Sequence, residues 1–283
     1  MGMMFVILDV IFVILAALVL LGLARLVQQW LYGQSLRALL TERDNPAMGI
    51  VVAGYLFGVI WTTTVLLGNL SYELVVDILG VLLYGCIGIV LLTGVALGTC
   101  RVCLGMGVQE QLVARNVAAA IVVAGVYIAT SLTYSGGLSG EGGGFWIMLF
   151  FFLLGQLALL GITYAFRRLT SYDDVQEIAA GNVAAALALT GLLIAVGLIV
   201  GRAVSGEYLG FLPSLGSFLL ALLLVVVLYP VRQVVVQWLI LGGPIHWHAS
   251  LLDSEIAQDK NVAAGLLEAT AYVTAALFLT RIV

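Results

Sequence analysis

The sequence predicts an all-α integral membrane protein: eight transmembrane helices built as four parallel hairpin repeats, in two tandem four-helix halves. Three observations predict it. The 283 residues are 63% apolar and only 9% charged, where a soluble domain carries roughly 25% charged residues. Eight stretches are apolar over about the 20 residues that a crossing requires. A short motif beginning with Asn occurs four times, each copy following a polar stretch and opening an apolar one.

The eight stretches run approximately over 4–31, 46–67, 74–99, 117–133, 145–166, 183–201, 214–240 and 262–280. They are too long and too continuous for alternating barrel strands, and only helices or closed barrels satisfy every backbone group in lipid. The first stretch has no basic n-region and runs apolar further than the roughly 7–15 residues of a signal-peptide core, so it reads as a retained span. The connections alternate in charge. Loops 32–45, 100–116, 167–182 and 241–261, with the adjoining helix ends, hold Arg25, Arg37, Arg43, Arg101, Arg115, Arg167, Arg168, Arg232 and Lys260. The other connections and the C-terminus hold only Arg202 and Arg281. Nine against two places the first set in the cytoplasm and both termini outside. The chain is thus expected to cross its membrane several times. Segments 103–115 and 169–180 have the length of short surface helices. The stretch YSGGLSGEGGG at 134–144 is flexible by composition and is the expected junction between the halves.

The motif reads Asn-Val-Ala-Ala at Asn116, Asn182 and Asn261, and Asn-Pro-Ala-Met at Asn45, at spacings of 71, 66 and 79 residues. That period is one hairpin, and each Asn opens an even-numbered helix from the same side. The repeats are therefore parallel, unlike the inverted pairs of many transporters. Small residues recur at fixed offsets: Gly49, Ala120, Ala186 and Gly265 four places on, then Gly54, Gly125 and Gly191 nine places on, with Thr270 in the fourth copy. Small stripes let membrane helices approach closely, since packing replaces the hydrophobic effect in lipid. Each even helix is expected to be an inner helix, and the bulkier odd helices to face lipid.

The Asn-x-Ala-Ala start, the Gly nine residues later and the two-hairpin unit resemble domain-of-unknown-function family 350. These are small bacterial inner-membrane proteins with four helices per domain. The resemblance covers the chain as two tandem domains, roughly 1–135 and 143–283, and the first copy departs from the pattern at Pro46 and Met48. It implies no reaction and no catalytic residues. It also implies a neighbourhood of membrane-stress and flotillin-like proteins as partners.

Asn45, Asn116, Asn182 and Asn261 have a structural reading and a functional one. Asn is a preferred N-cap, and Pro46 follows Asn45 at the first helical position that Pro favours. The functional reading is a rim of four amides around a pathway. Carboxylates shortly before each Asn suit the positive end of a helix dipole. Glu268 breaks the repeat, because Val52, Val123 and Leu189 hold the matching positions. Seven residues into its helix, it lies about 10 Å from the start. An ionisable group at that depth is a functional candidate, with Tyr272 one turn on as a hydrogen-bond partner. Gln156 is expected to bond another helix. Cys100, Cys103, His246 and His248 could supply four zinc ligands, a weak alternative at this spacing; the expectation is no metal.

A net charge of -4 argues against nucleic acid as a partner. No nucleotide-binding, HExxH or GxSxG motif appears, so neither a cofactor nor an enzymatic activity is expected. The leading expectation is a non-enzymatic, channel- or carrier-like protein whose cavity is lined by the four even helices. The alternative is a structural subunit of a membrane-stress assembly. The bilayer, with further copies of the chain or membrane-stress proteins, makes up the expected partners.

Overall fold

In a computed structural model the chain is helical throughout, and residues 2–33, 35–70, 74–105, 107–246 and 250–282 are described. The chain is a multi-pass membrane protein, with eight helices among the described residues long and apolar enough to cross a membrane. The first six spans are α1 (Gly2–Tyr32), α2 (Pro46–Gly68), α3 (Leu74–Leu104), α5 (Val117–Leu138), α6 (Gly144–Arg167) and α8 (Val183–Val204). The seventh, Phe211–Ile240, starts as α9 (Phe211–Leu223), tightens to a 3₁₀ turn at Leu224–Val227, returns to α10 (Leu228–Val231) and widens to a π-helix over Arg232–Ile240. Pro230 sits in this transition and brings no N–H to the ladder. The eighth span is α12 (Val262–Ile282). Short helices α4 (Val108–Val113), α7 (Asp174–Ala179) and α11 (Leu251–Ala257) precede the last three Asn motifs, and a five-residue π turn at Ala38–Glu42 takes that place before the first.

Each motif is built from two adjacent residues of opposite hand. Asp44, Arg115, Gly181 and Lys260 all have positive φ, at 45°, 61°, 82° and 52°, which reverses the chain after the short helix. Only Gly181 takes this conformation without the steric cost that a Cβ brings. The Asn that follows starts the long helix: Asn45, Asn116 and Asn182 have extended backbone. Their Oδ1 atoms accept N–H groups two or three residues on, as at Ala47 (3.0 Å), Ala119 (3.1 Å) and Ala184 (3.0 Å). Asn261 accepts from Ala263 at 3.1 Å.

The four even helices stand side by side in the order α2, α5, α8, α12, with α5–α8 as extensive an interface as α2–α5 or α8–α12. Glycine sets the spacing. A Cβ on Gly54 would stand 2.5 Å from that of Ala124, and one on Gly125 2.6 Å from Thr190 Cγ2. Gly191 meets the Ala269 backbone and Gly265 the Ala184 backbone in the same way. Odd helices flank the row, α3 and α6 against α5 and α6 and α9 against α8. Thr130 Oγ1 donates to Gln156 Oε1 at 3.3 Å, joining α5 to α6.

This arrangement corrects three expectations. The even helices form a row rather than a ring, so the four Asn residues do not surround a pathway. Neighbouring even helices close on one another along their contact surfaces. Only α5 and α8 are inner helices throughout, 83% and 72% buried, whereas the ends of the row, α2 and α12, are 44% and 33% buried. A fourth correction concerns 134–144. Residues 134–138 continue α5, and Tyr134, Ser135, Gly136 and Gly137 are buried. Gly136 lies against the backbone of Gly201, so glycine here serves close packing rather than flexibility.

Replacing Gly191 by Val should overpack the α8–α12 contact and cost about 1–3 kcal/mol. Gly161→Val, at a glycine with open space around it, should stay within about 0.5 kcal/mol of the parent. Reversible unfolding of both variants in mixed micelles measures the difference.

Candidate buried ion-pair site

The seventh span carries Arg232 into the protein at the start of its π-helical segment, where the guanidinium is 1% exposed. A buried charge needs partners, because its desolvation costs several kcal/mol. Arg232 finds two. Its Nε donates to Glu268 Oε1 on α12 at 2.7 Å, and its Nη2 donates to Asp253 Oδ1 on α11. Its guanidinium also faces the Tyr229 ring, 5.9 Å from the centroid.

Asp253 is held by its own helix start. Ser250 Oγ accepts the Asp253 N–H at 3.2 Å, and Asp253 Oδ2 accepts the Ser250 N–H at 3.1 Å. This reciprocal capping box leaves Oδ1 for Arg232. Ser171 Oγ adds a bond to Oδ2 at 3.2 Å. Gln237, one turn and a half beyond Arg232, places α11 by accepting the Leu252 N–H at 3.0 Å and donating to the Pro244 carbonyl at 3.1 Å.

Glu268 is 2% exposed. Arg232 engages Oε1, while Oε2 is buried with no hydrogen-bond partner among the described residues. Glu268 also walls a void of about 20 Å³, shared with Arg167, Tyr172, Asp174 and Tyr272. That is room for one water or an ion of similar size. Asp174, at the first turn of α7, is 4% exposed. Its Oδ2 lies 3.3 Å from Arg167 Nε. Burial pushes the Asp174 carboxyl up from an ordinary carboxylate value to about 7; Arg167 opposes this and the negative Glu268 adds to it. Three buried carboxylates, Asp174, Asp253 and Glu268, thus share two guanidiniums, Arg167 and Arg232. One negative charge is in excess, and a bound proton or small cation would balance it. The Phe166 ring also lines this void, edge-on to Tyr229 and Tyr272 at 6.1 and 6.2 Å.

The first half places neutral groups at the equivalent height. Tyr127 stands eleven residues after Asn116, as Tyr272 does after Asn261, but Val123 replaces Glu268. Around Tyr127 lie Gln28, Tyr32 and Cys100, the edge-on ring of Tyr55 at 5.1 Å, and a 3.2 Å bond between Tyr55 Oη and Thr93 Oγ1. Arg167 connects the halves by donating to the Cys103 carbonyl at 3.1 Å.

The structure thus brings Glu268 and Tyr272 together with four groups that sequence patterns did not join to them: Arg232, Asp253, Asp174 and Arg167. Arg232 follows a long apolar run and reads as a helix-end charge; its nearness to Pro230 was the available signal. Three of the four Asn residues do something beyond capping. Asn45 Nδ2 donates to the Leu112 carbonyl (3.0 Å), Asn116 Nδ2 to that of Ile178 (2.9 Å) and Asn182 Nδ2 to that of Ile256 (2.8 Å). Each bond reaches the short helix of the next repeat. Cys100 and Cys103 are buried in α3. His246 is exposed in the loop after Ile240, and His248 lies outside the described residues. Among the described residues no group of three or more His, Cys, Asp or Glu could hold a metal ion.

A family model described as Domain of Unknown Function (DUF350) matches the chain twice, over residues 3–138 and 142–283. No curated protein and no solved structure matches it.

Arg232→Met should cost about 3–5 kcal/mol, since it strands two buried carboxylates. Adding Glu268→Gln and Asp253→Asn should recover part of that loss in the same unfolding assay. A second expectation concerns pH. The Asp174 carboxyl holds its proton more tightly folded than unfolded, so its contribution favours the folded state most at low pH. That contribution should decline as pH rises from about 4 through about 7. Asp174→Asn should flatten the melting-temperature profile over this window.

Proposed function

Because the chain belongs to the DUF350 family as a tandem pair, and the family's description states no function, we propose a function from the site itself. The protein is a non-enzymatic, carrier-like membrane protein that binds a proton, or a small monovalent cation in its place, between Glu268 and Asp174. One observation carries this reading: Glu268 Oε2 is buried without a hydrogen-bond partner among the described residues, at a water-sized void whose other wall holds a second buried carboxyl. Ionisable groups inside membrane segments mark proton relays and ion pathways more than structural supports. The expected pathway between the even helices is set aside, because those helices touch. The site lies instead between α6, α7, α8 and α12. By the distribution of basic residues, the Asn-bearing side faces the cytoplasm, and the site exchanges with that compartment through the α7 loop.

A second reading has its own observation. The even helices pack with glycine against backbone along the row, which suits a rigid scaffold whose cytoplasmic loops recruit membrane-stress, flotillin-like partners. In that case Arg232 and its carboxylates fix α11 in place and nothing exchanges at the void.

The two readings separate in liposomes. With protein reconstituted around a pH-sensitive dye, an imposed K⁺ diffusion potential should drive proton movement. Glu268→Gln and Asp174→Asn should each reduce it at least tenfold in protein that remains folded at the assay temperature. Parent protein that moves no H⁺, Na⁺ or K⁺, or flux unchanged in both variants, sinks the carrier reading. Capture of partners from native membranes, lost when loop 167–182 is exchanged, would then support the scaffold.

A further inference from the structure

Inside the chain, one even helix meets the next by a fixed rule. At the α8–α12 contact Ala184, two places after Asn182, faces Gly265, four places after Asn261. The residue nine places on faces the residue eight places on: Gly54 on Ala124, Gly125 on Thr190, Gly191 on Ala269. The Asn amide nitrogen donates to a carbonyl of the following repeat, at Leu112, Ile178 or Ile256. That acceptor is always the residue after the one whose carbonyl takes the next Asn's backbone N–H, namely Gln111, Glu177 and Glu255.

The row ends with each half of this interface bare. At one end Asn261 is exposed, and its Nδ2 donates to Glu255 of its own repeat at 2.8 Å. Ala263 and Thr270, two and nine places on, are exposed too. At the other end Ala53, eight places after Asn45, is exposed. Gly49, four places after it, has only the Leu40 side chain near the position of a Cβ. The rule also names an acceptor there: the Asn45 N–H goes to the Leu39 carbonyl, so the matching carbonyl is that of Leu40. An apolar groove of about 380 Å³, walled by Val231 and Val235 on one side and Ala271 and Thr274 on the other, runs beside the bare face of α12.

We infer that these two ends bind each other in separate copies of the chain. The eighth span of one copy packs on α2 of the next, Ala263 against Gly49 and Thr270 against Ala53, and Asn261 Nδ2 donates to the Leu40 carbonyl. The contact continues, between molecules, the interface already made three times within one. It joins unlike surfaces, so copies run head to tail and form a closed ring or an open file in the membrane plane. Ile60 occupies the place where the inner repeats carry Ser131 and Gly197, so the two helices lie closest near their Asn ends and spread apart beyond. The extended assembly lengthens one row of even helices, flanked throughout by odd helices.

Thiol cross-linking in native membranes tests this in the full chain. With Ala53→Cys and Thr270→Cys in the same molecule, a bifunctional thiol reagent should give a ladder of dimers, trimers and larger species. Chains carrying only one of the two changes should give dimers when co-expressed, and nothing above the parent when expressed singly. The parent, with Cys86, Cys100 and Cys103, sets the background. Adding Gly49→Leu and Asn261→Ala to the double-cysteine chain should reduce the ladder at least fivefold without lowering its melting temperature by more than a few degrees. A double-cysteine chain that gives no ladder would show these faces covered by lipid or another protein and overturn the inference. Equal dimer yield from either single variant would show a symmetric contact and overturn it as well, as would a ladder that survives Gly49→Leu and Asn261→Ala undiminished.

Discussion

Close approach of four parallel backbones is the constraint on which the rest of this structure depends. Lipid gives apolar helices no reason to prefer one another over acyl chains, so association rests on packing and hydrogen bonds. Gly54, Gly125, Gly191 and Gly265 bring the helices near enough for backbone to touch side chain or backbone. The Asn residues fix the register of that contact. Each one caps its own helix through Oδ1, and the first three reach the next repeat through Nδ2. A single short side chain thereby satisfies a helix start and ties two hairpins together.

Against this regular frame the halves differ in what they bury. The first encloses hydroxyls, an amide and thiols around Tyr127; the second encloses two guanidiniums and three carboxylates around Tyr272. Neutral polar groups cost little to bury when bonded, whereas charges need pairing and precise geometry. The second half meets that need with a π-helical stretch that begins at Arg232 and a capping box that frees one oxygen of Asp253. An unpaired Glu268 oxygen in such a setting is a departure from full satisfaction, and departures of that kind are where chemistry is expected.

Much of the fold was legible in the sequence because lipid enforces simple rules. Span lengths, hairpin order and parallel repeats all followed from apolar runs and from positions counted after each Asn. The row was not legible. A small stripe says that a helix has close neighbours but not whether the last helix returns to the first. The Gly-rich run at 134–138 misled for a related reason, since composition alone does not separate a glycine that permits a turn from one that admits a neighbour's backbone, as Gly136 does. Glu268 stood out because it broke a repeat. Arg232, Asp253 and Asp174 did not, since each fits a local pattern: a helix-end basic residue, a capping acid and a first-turn acid. Their convergence is a property of three dimensions.

The α5–α8 interface joins the two halves as extensively as the helices within either half are joined. Gly125 on Thr190, Gly197 on Ala129 and Gly136 on Gly201 supply the same kind of contact there, and Arg167 adds a bond across the boundary. The point where the sequence begins its second copy is therefore not a mechanical seam. In a nearest-neighbour array, cooperativity follows interface strength rather than ancestry. This chain carries the record of a duplication, yet it should melt as one block, with frayed edges at α2 and α12 rather than a break in the middle.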